Sequence, residues 1–133
     1  MYKNKVNIRV RYSETDQMKY VYYGIYAQYF EVGRVELLRN LGVTYKNLEE
    51  QGFSLPVTNY NIDYKKPAFY DDKLTIETTL TKIVSRKIFF IYKTYNSSGD
   101  LLNTAETTLV FVDTKTGKSC MPPKILIEKL QNI

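Results

Sequence analysis

The chain opens with a strand-like alternation of apolar and polar residues and then changes to a helical period. Apolar side chains alternate with Asn and Arg over positions 6–12, as in a half-buried β-strand. From about Tyr22 to Leu41 the apolar positions recur about every 3.6 residues. Their stripe comprises Tyr26, Phe30, Gly33, Leu37 and Leu41. The pattern predicts one strand followed by one long helix with a single buried face.

Two glycines add detail to the predicted helix. Gly33 lies inside the apolar stripe, where a glycine costs about 1 kcal/mol of helix propensity relative to Ala. We therefore expect another backbone to approach the helix closely at this point. Gly42 follows the stripe and is typical of a helix C-terminus.

Strand-like stretches separated by turn residues fill most of the remaining chain. A short helix is predicted over Thr44 to Gln51. The pattern predicts four strands after it: Leu55 to Tyr64, Leu74 to Val84, Lys87 to Asn96 and Leu101 to Asp113. Ile88 to Tyr92 is apolar on both faces, which is typical of a central strand covered on both sides. Pro122-Pro123 then begins a short amphipathic helix.

This order of elements predicts an α+β fold in which a five-stranded antiparallel sheet wraps around one long helix. A length of 133 residues allows a single domain, which we expect to span 1–133. Such a sheet leaves its edges and one face uncovered. We therefore expect a homodimer or a homotetramer.

Composition limits the possible chemistry. The chain has no histidine, which excludes Ser-His-Asp and Cys-His triads and zinc hydrolases with imidazole ligands. Catalytic groups must then be carboxylates, Tyr, Lys, Ser, Thr or backbone amides. Cys120 is the single cysteine, so it forms no intrachain disulfide, and with no activating neighbour we interpret it as inert.

Charge and hydropathy indicate the environment and the partners. The chain starts without the apolar stretch of a signal peptide and has no run of about 18 apolar residues to span a membrane. We therefore expect a cytoplasmic protein. The net charge of +5 favours anionic partners but is too small and dispersed to indicate nucleic acid. A small phosphate-bearing ligand suits it as well.

Two blocks of sequence resemble a known family. The first runs through Arg11 to Met18 (RYSETDQM), Val21 to Gly24 (VYYG) and Tyr26 to Arg34 (YAQYFEVGR). It resembles the opening of hotdog-fold acyl-CoA thioesterases of the 4-hydroxybenzoyl-CoA thioesterase and YbgC-like type. The second block, Tyr64 to Leu74, looks like the family's strand-turn-strand segment. The resemblance covers nearly the whole chain and implies the hotdog fold.

The resemblance also implies an activity and a site. It implies hydrolysis of a short- or medium-chain or aromatic acyl-CoA, with no metal and no cofactor because coenzyme A is part of the substrate. Asp16 matches the catalytic carboxylate, which acts as nucleophile or general base. Tyr23 matches the position whose backbone N–H polarises the thioester oxygen. The first amides of a helix lack intrahelical partners and lie at the positive end of its dipole, which suits an oxyanion.

Other residues near this motif have simpler interpretations beside the functional ones. An Asp after Thr in a loop is commonly a cap or a turn residue, and the surrounding motif is what favours catalysis by Asp16. Tyr22 and Tyr23 are expected in the pocket wall. Lys19 stands where relatives usually have Gly, so its bulk and charge are expected to narrow the pocket or to contact the substrate.

The helix itself carries a second carboxylate. Glu31 and Arg34 lie three residues apart, which predicts an ion pair, while Glu31 stays the second candidate for the catalytic carboxylate. Glu14 is expected to be solvated. Tyr26 and Tyr29 are expected to be core or interface aromatics.

A basic stretch is centred on the predicted turn at Ser85, Arg86 and Lys87. It contains Lys82, Arg86, Lys87 and Lys93. Two interpretations stay open: a solvated hairpin end, or a site in which Ser85, Arg86 and Lys87 bind the 3'-phosphate and the diphosphate of coenzyme A. Lys65 and Lys66 are further candidates. In the family that the chain resembles, the nucleotide usually lies on the surface and the pantetheine arm reaches a site between subunits.

Two alternative functions remain at this point. A thioesterase acting on acyl carrier protein would use the basic surface to meet an acidic carrier domain. A non-catalytic module that binds acyl-CoA is suggested by Lys19 and its neighbour Tyr20, which depart from the family pattern. A hotdog dehydratase is disfavoured because that chemistry normally uses a histidine.

Overall fold

The secondary structure follows the predicted order of elements. A computed structural model describes residues 1–132, so Ile133, the last residue of the predicted domain, lies outside it. The helices are α1 (Tyr26–Asn40), α2 (Tyr45–Glu50) and α3 (Lys124–Gln131). The strands are β1 (Tyr2–Arg9), β2 (Phe53–Ser54), β3 (Val57–Tyr64), β4 (Lys73–Val84), β5 (Lys87–Tyr95), β6 (Leu101–Val110) and β7 (Val112–Asp113).

The main sheet has five antiparallel strands in the order β1-β4-β5-β6-β3. A separate two-stranded pair joins β2 to β7. The central place of β5 confirms the prediction from its apolar run. The prediction that both faces of β5 are covered is wrong for a single chain, because Ile91 on the outer face is 38% exposed.

Helix α1 packs on the other face of the sheet. The buried Phe30 ring stacks on the Tyr92 ring of β5, with centroids 4.6 Å apart. At Gly33 the helix approaches β4 so closely that an added Cβ would collide with Thr78 Oγ1 and lie 3.2 Å from Ile76 Cγ2. The close approach predicted at Gly33 is confirmed, but the groups that approach are side chains of β4 rather than another backbone. The hotdog arrangement of a sheet around one helix is also confirmed.

Helix ends follow the sequence signals. Gly42 has a φ of +88°, a left-handed conformation that glycine adopts without strain, two residues after α1 ends. The Thr44 side chain caps α2, because its Oγ1 accepts a 3.1 Å hydrogen bond from the Asn47 amide. Within residues 1–132 no helix is long and apolar enough to span a membrane.

Several boundaries differ from the predicted ones, and the strand predicted over Leu101 to Asp113 is divided into β6 and β7. Strand β1 ends at Arg9, and residues 12–14 form a 3₁₀ turn because the Glu14 carboxylate holds the Arg11 amide at 2.8 Å. Helix α1 begins at Tyr26, after a 3₁₀ turn over Tyr23–Ile25. Strand β3 begins at Val57 because the preceding Pro56 has no N–H for the ladder.

Candidate active site

The loop between β1 and α1 fixes the Asp16 backbone and one side-chain oxygen. The Asp16 amide donates to the Tyr20 carbonyl, and the Lys19 amide donates to the Asp16 carbonyl, each at 2.9 Å. Asp16 Oδ1 accepts a 2.9 Å hydrogen bond from the Met18 amide. Within the described residues Oδ2 has no hydrogen-bond donor. The loop therefore holds the carboxyl group in place and leaves one oxygen available.

Lys19 turns this loop with a left-handed backbone. Its φ is +68°, a conformation that favours glycine. This is the physical reason why a glycine suits the position. The Lys19 side chain is exposed and is absent from the walls of the cavity described below. Contact between Lys19 and a substrate therefore stays a prediction.

The start of the long helix offers an unused amide. The Tyr22 carbonyl accepts the Ile25 amide at 2.9 Å, and the Tyr22 amide donates to the Glu14 carbonyl at 2.8 Å. The Tyr23 amide donates to no protein acceptor in residues 1–132. Because Tyr23 begins the 3₁₀ turn that leads into α1, this N–H lies at the positive end of the helix dipole.

Asp16 and Tyr23 line one cavity of about 290 Å³. Its walls also include Met18, Tyr20, Tyr26, Tyr64, Lys65 and Lys66. The cavity is thus largely aromatic, with a carboxyl group, the start of a helix and two lysines around it. Residues 1–132 contain no cluster of three His, Cys, Asp or Glu residues that could hold a metal ion.

The predicted pocket aromatics differ in their positions. Tyr23 is 65% exposed at the cavity. The Tyr22 ring packs against the Tyr23 ring at an interplanar angle of 40°, with centroids 4.6 Å apart, and Tyr22 lies outside the cavity walls. Tyr26 is buried in the core, as expected, and its ring also forms part of the wall.

Glu14 is the residue of this loop whose contacts the sequence interpretation missed. It is half-buried rather than solvated, and its Oε1 accepts 2.8 Å hydrogen bonds from the Arg11 amide and from the Tyr29 hydroxyl. Burial and this hydrogen bond raise the pKa of Tyr29. Glu14 therefore ties the Asp16 loop to the buried face of α1. Its place three residues after Arg11, as in a capping box, was the available signal.

The predicted ion pair between Glu31 and Arg34 does not form. Glu31 is exposed, whereas Arg34 is 8% exposed and its Nε donates to the Tyr45 hydroxyl at 3.3 Å. Arg34 lies four residues after Phe30, so it belongs to the inward face of the helix. Glu31 lies outside the cavity walls, which leaves Asp16 as the carboxylate of this site.

The basic hairpin lies far from Asp16 within one chain. Ser85, Arg86 and Lys87 follow the end of β4, whereas the cavity lies beyond its start, beside Pro67. The length of β4 places roughly 35 Å between the two ends. Arg86 Nη1 donates to Ser119 Oγ at 3.2 Å. The structure therefore does not bring these residues to Asp16 in a single chain.

A five-stranded sheet around one long helix is the hotdog fold, and in this chain the carboxyl group of Asp16 precedes the start of that helix. A family model described as "Thioesterase-like superfamily" matches residues 10–130. The chain therefore belongs to the thioesterase-like superfamily, which confirms the resemblance of its two sequence blocks.

Relatives and solved structures agree with this assignment. The chain is 37% identical to "Putative acyl-CoA thioesterase YneP" of Bacillus subtilis, over 89% of this chain and 86% of that protein. It is 30% identical to acyl-CoA thioester hydrolase YbgC of Escherichia coli O157:H7, over 93% and 92%. A DHNA-CoA thioesterase structure from Staphylococcus aureus matches with a TM-score of 0.95 and 32% identity, over 99% of this chain and 91% of that one.

Proposed function

We propose that this protein is an acyl-CoA thioesterase that hydrolyses a short- or medium-chain or aromatic acyl-CoA to the free acid and coenzyme A. One observation carries the proposal: the same cavity is lined by Asp16 and by Tyr23, the first residue of the 3₁₀ turn that leads into α1. Membership of the thioesterase-like superfamily and similarity to the acyl-CoA thioester hydrolase YbgC and to YneP support the reaction class.

The proposed chemistry needs no histidine. The thioester oxygen accepts a hydrogen bond from the Tyr23 amide, which stabilises the negative charge that develops on it. Asp16 then acts in one of two ways. As a nucleophile it forms a mixed anhydride and expels the coenzyme A thiolate, and water hydrolyses the anhydride. As a general base it takes a proton from water, hydroxide adds to the carbonyl carbon, and the departing thiolate receives the proton.

The aromatic residues of the cavity wall support Asp16 as the reacting group and leave the tyrosines to bind the acyl group. Burial raises the pKa of Tyr26 to about 12, so its hydroxyl is neutral near pH 7. The rings of Tyr20, Tyr26 and Tyr64 present apolar surface for an acyl group. Asp16 is therefore the group proposed to accept a proton or to attack.

The phosphates of coenzyme A have two candidate contacts. Lys65 and Lys66 line the cavity together with Asp16, and Lys66 Nζ also lies 3.7 Å from Asp100 Oδ2. Ser85, Arg86 and Lys87 lie at the far end of β4, so they serve this role only if another copy of the chain supplies them.

The decisive experiment compares two isosteric substitutions. Asp16→Asn keeps the side-chain oxygen that accepts the Met18 amide but removes the negative charge. We expect it to fold and assemble like the wild type and to lose about 100-fold or more in thiol release from acyl-CoA. Asp113→Asn is the control. Asp113 Oδ1 accepts the amide two residues further on, that of Lys115, just as Asp16 Oδ1 accepts the Met18 amide, and Asp113 lies away from the cavity walls. We expect Asp113→Asn to keep wild-type turnover.

Thiol release should be screened with short, medium, branched and aromatic acyl-CoAs and with a matched acyl carrier protein substrate. Unchanged turnover in Asp16→Asn would contradict the role of Asp16. A clear preference for the carrier substrate would move the assignment to a carrier protein thioesterase. Tight acyl-CoA binding without thiol release over hours would indicate a binding module.

A further inference from the structure

Tyr64, the last residue of β3, links the edge of the sheet to the start of the long helix. Its hydroxyl donates a hydrogen bond to the Tyr23 carbonyl oxygen, with 3.1 Å between the two oxygens. Its ring packs edge-to-face on the buried Tyr26 ring at a centroid distance of 5.8 Å. The next two backbone amides both donate to the Leu102 carbonyl, at 2.8 and 3.0 Å. Both the ring and the backbone of Tyr64 are thus held in place.

The turn that Tyr64 contacts has few other restraints. Neither Tyr22, which caps the 3₁₀ turn, nor Ile25, which caps α1, makes a side-chain capping hydrogen bond. Gly24 lies in the middle of the turn, and glycine is the residue with the greatest backbone freedom. Among residues 1–132, Tyr64 makes the single side-chain hydrogen bond to the backbone of Tyr23–Ile25.

We propose that Tyr64 is a positioning residue, which holds the Tyr23 carbonyl and so fixes the direction of the Tyr23 amide. This inference rests on the proposed function of that amide. The Tyr23 N–H lies in the peptide plane that it shares with the Tyr22 carbonyl, which accepts the Ile25 amide, and the Tyr23 carbonyl lies in the next plane. By holding this second plane, the Tyr64 hydrogen bond restricts the Tyr23 φ and ψ torsions that join the two planes. An oxyanion donor acts only when it stays about 2.7–3.1 Å from the developing charge. Tyr64 therefore acts on the transition state through Tyr23.

The protonation state of Tyr64 supports this role. Burial, together with the neighbouring Tyr23, raises the pKa of the Tyr64 hydroxyl above its ordinary value. The hydroxyl thus keeps its proton near pH 7 and stays a donor to the Tyr23 carbonyl.

The test removes one oxygen atom from each of two tyrosines. Tyr64→Phe keeps the ring on Tyr26 and loses the hydrogen bond. Tyr60→Phe is the matched control: Tyr60 lies on the same strand, its ring packs on Phe30, and its hydroxyl has no hydrogen bond within residues 1–132. We expect Tyr64→Phe to lower kcat roughly three- to tenfold, as the loss of one hydrogen bond implies, with KM within about twofold. Tyr60→Phe should change neither.

A second measurement reports on the backbone without any turnover. The Ile25 amide donates to the Tyr22 carbonyl at 2.9 Å inside the turn. We expect its hydrogen exchange to become faster in Tyr64→Phe and to stay at the wild-type rate in Tyr60→Phe.

An unchanged kcat in Tyr64→Phe, or equal effects in both variants, would overturn the inference. If KM rose while kcat stayed intact, the Tyr64 hydroxyl would be a substrate contact and not a support for Tyr23. Unchanged exchange at Ile25 would equally contradict the inference. If the wild type released no thiol from any acyl-CoA, the proposed function would fail, and the exchange comparison would still decide whether Tyr64 restrains the turn.

Discussion

Lys19 holds a backbone conformation that costs free energy in any residue with a side chain. Its φ of +68° lies in the left-handed region, where a non-glycine residue is less stable by about 1 kcal/mol or more. Glycine avoids this strain but adds freedom to the unfolded chain, which removes part of the gain.

We therefore predict that Lys19→Gly raises the free energy of unfolding by about 0.5–1 kcal/mol, or roughly 2–4 °C in Tm. The control is Lys118→Gly, which removes the same charge from an exposed loop position whose φ is not positive. Thermal and urea unfolding should show a gain for Lys19→Gly and a small loss or no change for Lys118→Gly. A loss in both variants would show that the loop conformation at Lys19 is not strained.

The contact between α1 and β4 decides how deeply the helix sits on the sheet. Gly33 costs helix propensity but lets the helix backbone reach Thr78 and Ile76. Both of those side chains are fully buried, so neither has solvent-facing space to move into.

We predict that Gly33→Ala lowers the free energy of unfolding by about 1–2 kcal/mol, because overpacking outweighs the better helix propensity. Urea unfolding is the measurement. Thr78→Ala in the same chain should recover most of the loss, since it removes the Oγ1 that the new methyl group meets. Thr78 Oγ1 is buried without a hydrogen-bond partner, so its removal leaves no other group unpaired. If Gly33→Ala stabilised the protein, the close approach would be refuted.

The two edges of the sheet differ in a way that bears on the whole molecule. Edge strand β1 (YKNKVNIR) carries Lys3, Lys5 and Arg9, and charged side chains of this kind oppose pairing with another chain. Edge strand β3 (VTNYNIDY) has no lysine and no proline. We therefore expect the homo-oligomer predicted from the sequence to form through β3.

Pairing through β3 would also change which residues meet. Two copies related by a two-fold axis run antiparallel along β3. The start of β3 lies at the end of the sheet that carries Lys87, whereas Tyr64 at its other end lines the Asp16 cavity. Such a pair would bring the partner's Arg86 and the partner's Lys87 to the same end of the sheet as Asp16.

We predict that mixing two impaired variants restores activity. Asp16→Asn supplies intact Arg86 and Lys87, and a variant with Arg86→Ala and Lys87→Ala supplies intact Asp16. After random reassociation as dimers, about one quarter of the sites combine the intact groups. Thiol release at acyl-CoA concentrations below KM should rise to about that fraction of the wild-type rate.

The control for mixing pairs Asp16→Asn with a Lys65→Ala and Lys66→Ala variant. These lysines line the cavity of their own chain, so no mixed dimer regains a complete site. Equal recovery in both mixtures, or none in either, would contradict the two-chain arrangement.

Local pattern predicted most of the elements in this protein. The central place of β5, the short helix after Thr44 and the helix end at Gly42 were all predicted, because each depends on neighbouring residues or on simple periodicity. The pairing of Glu31 with Arg34 was wrong, because burial of Arg34 depends on where α2 and the sheet lie. The hydrogen bond between Glu14 and Tyr29 was missed for the same reason, because the two residues are fifteen positions apart in the chain.

The sequence by itself determined the order of the elements, the absence of histidine chemistry and the family motif around Asp16. Only the tertiary structure brought Asp16, Tyr23 and Tyr64 to one cavity and separated them from Arg86 by the length of β4. The physical reason is the distance along the chain over which each kind of interaction acts. Periodicity, caps and turns act over a few residues, whereas a cavity wall is set by how the helix and the sheet edge pack against each other.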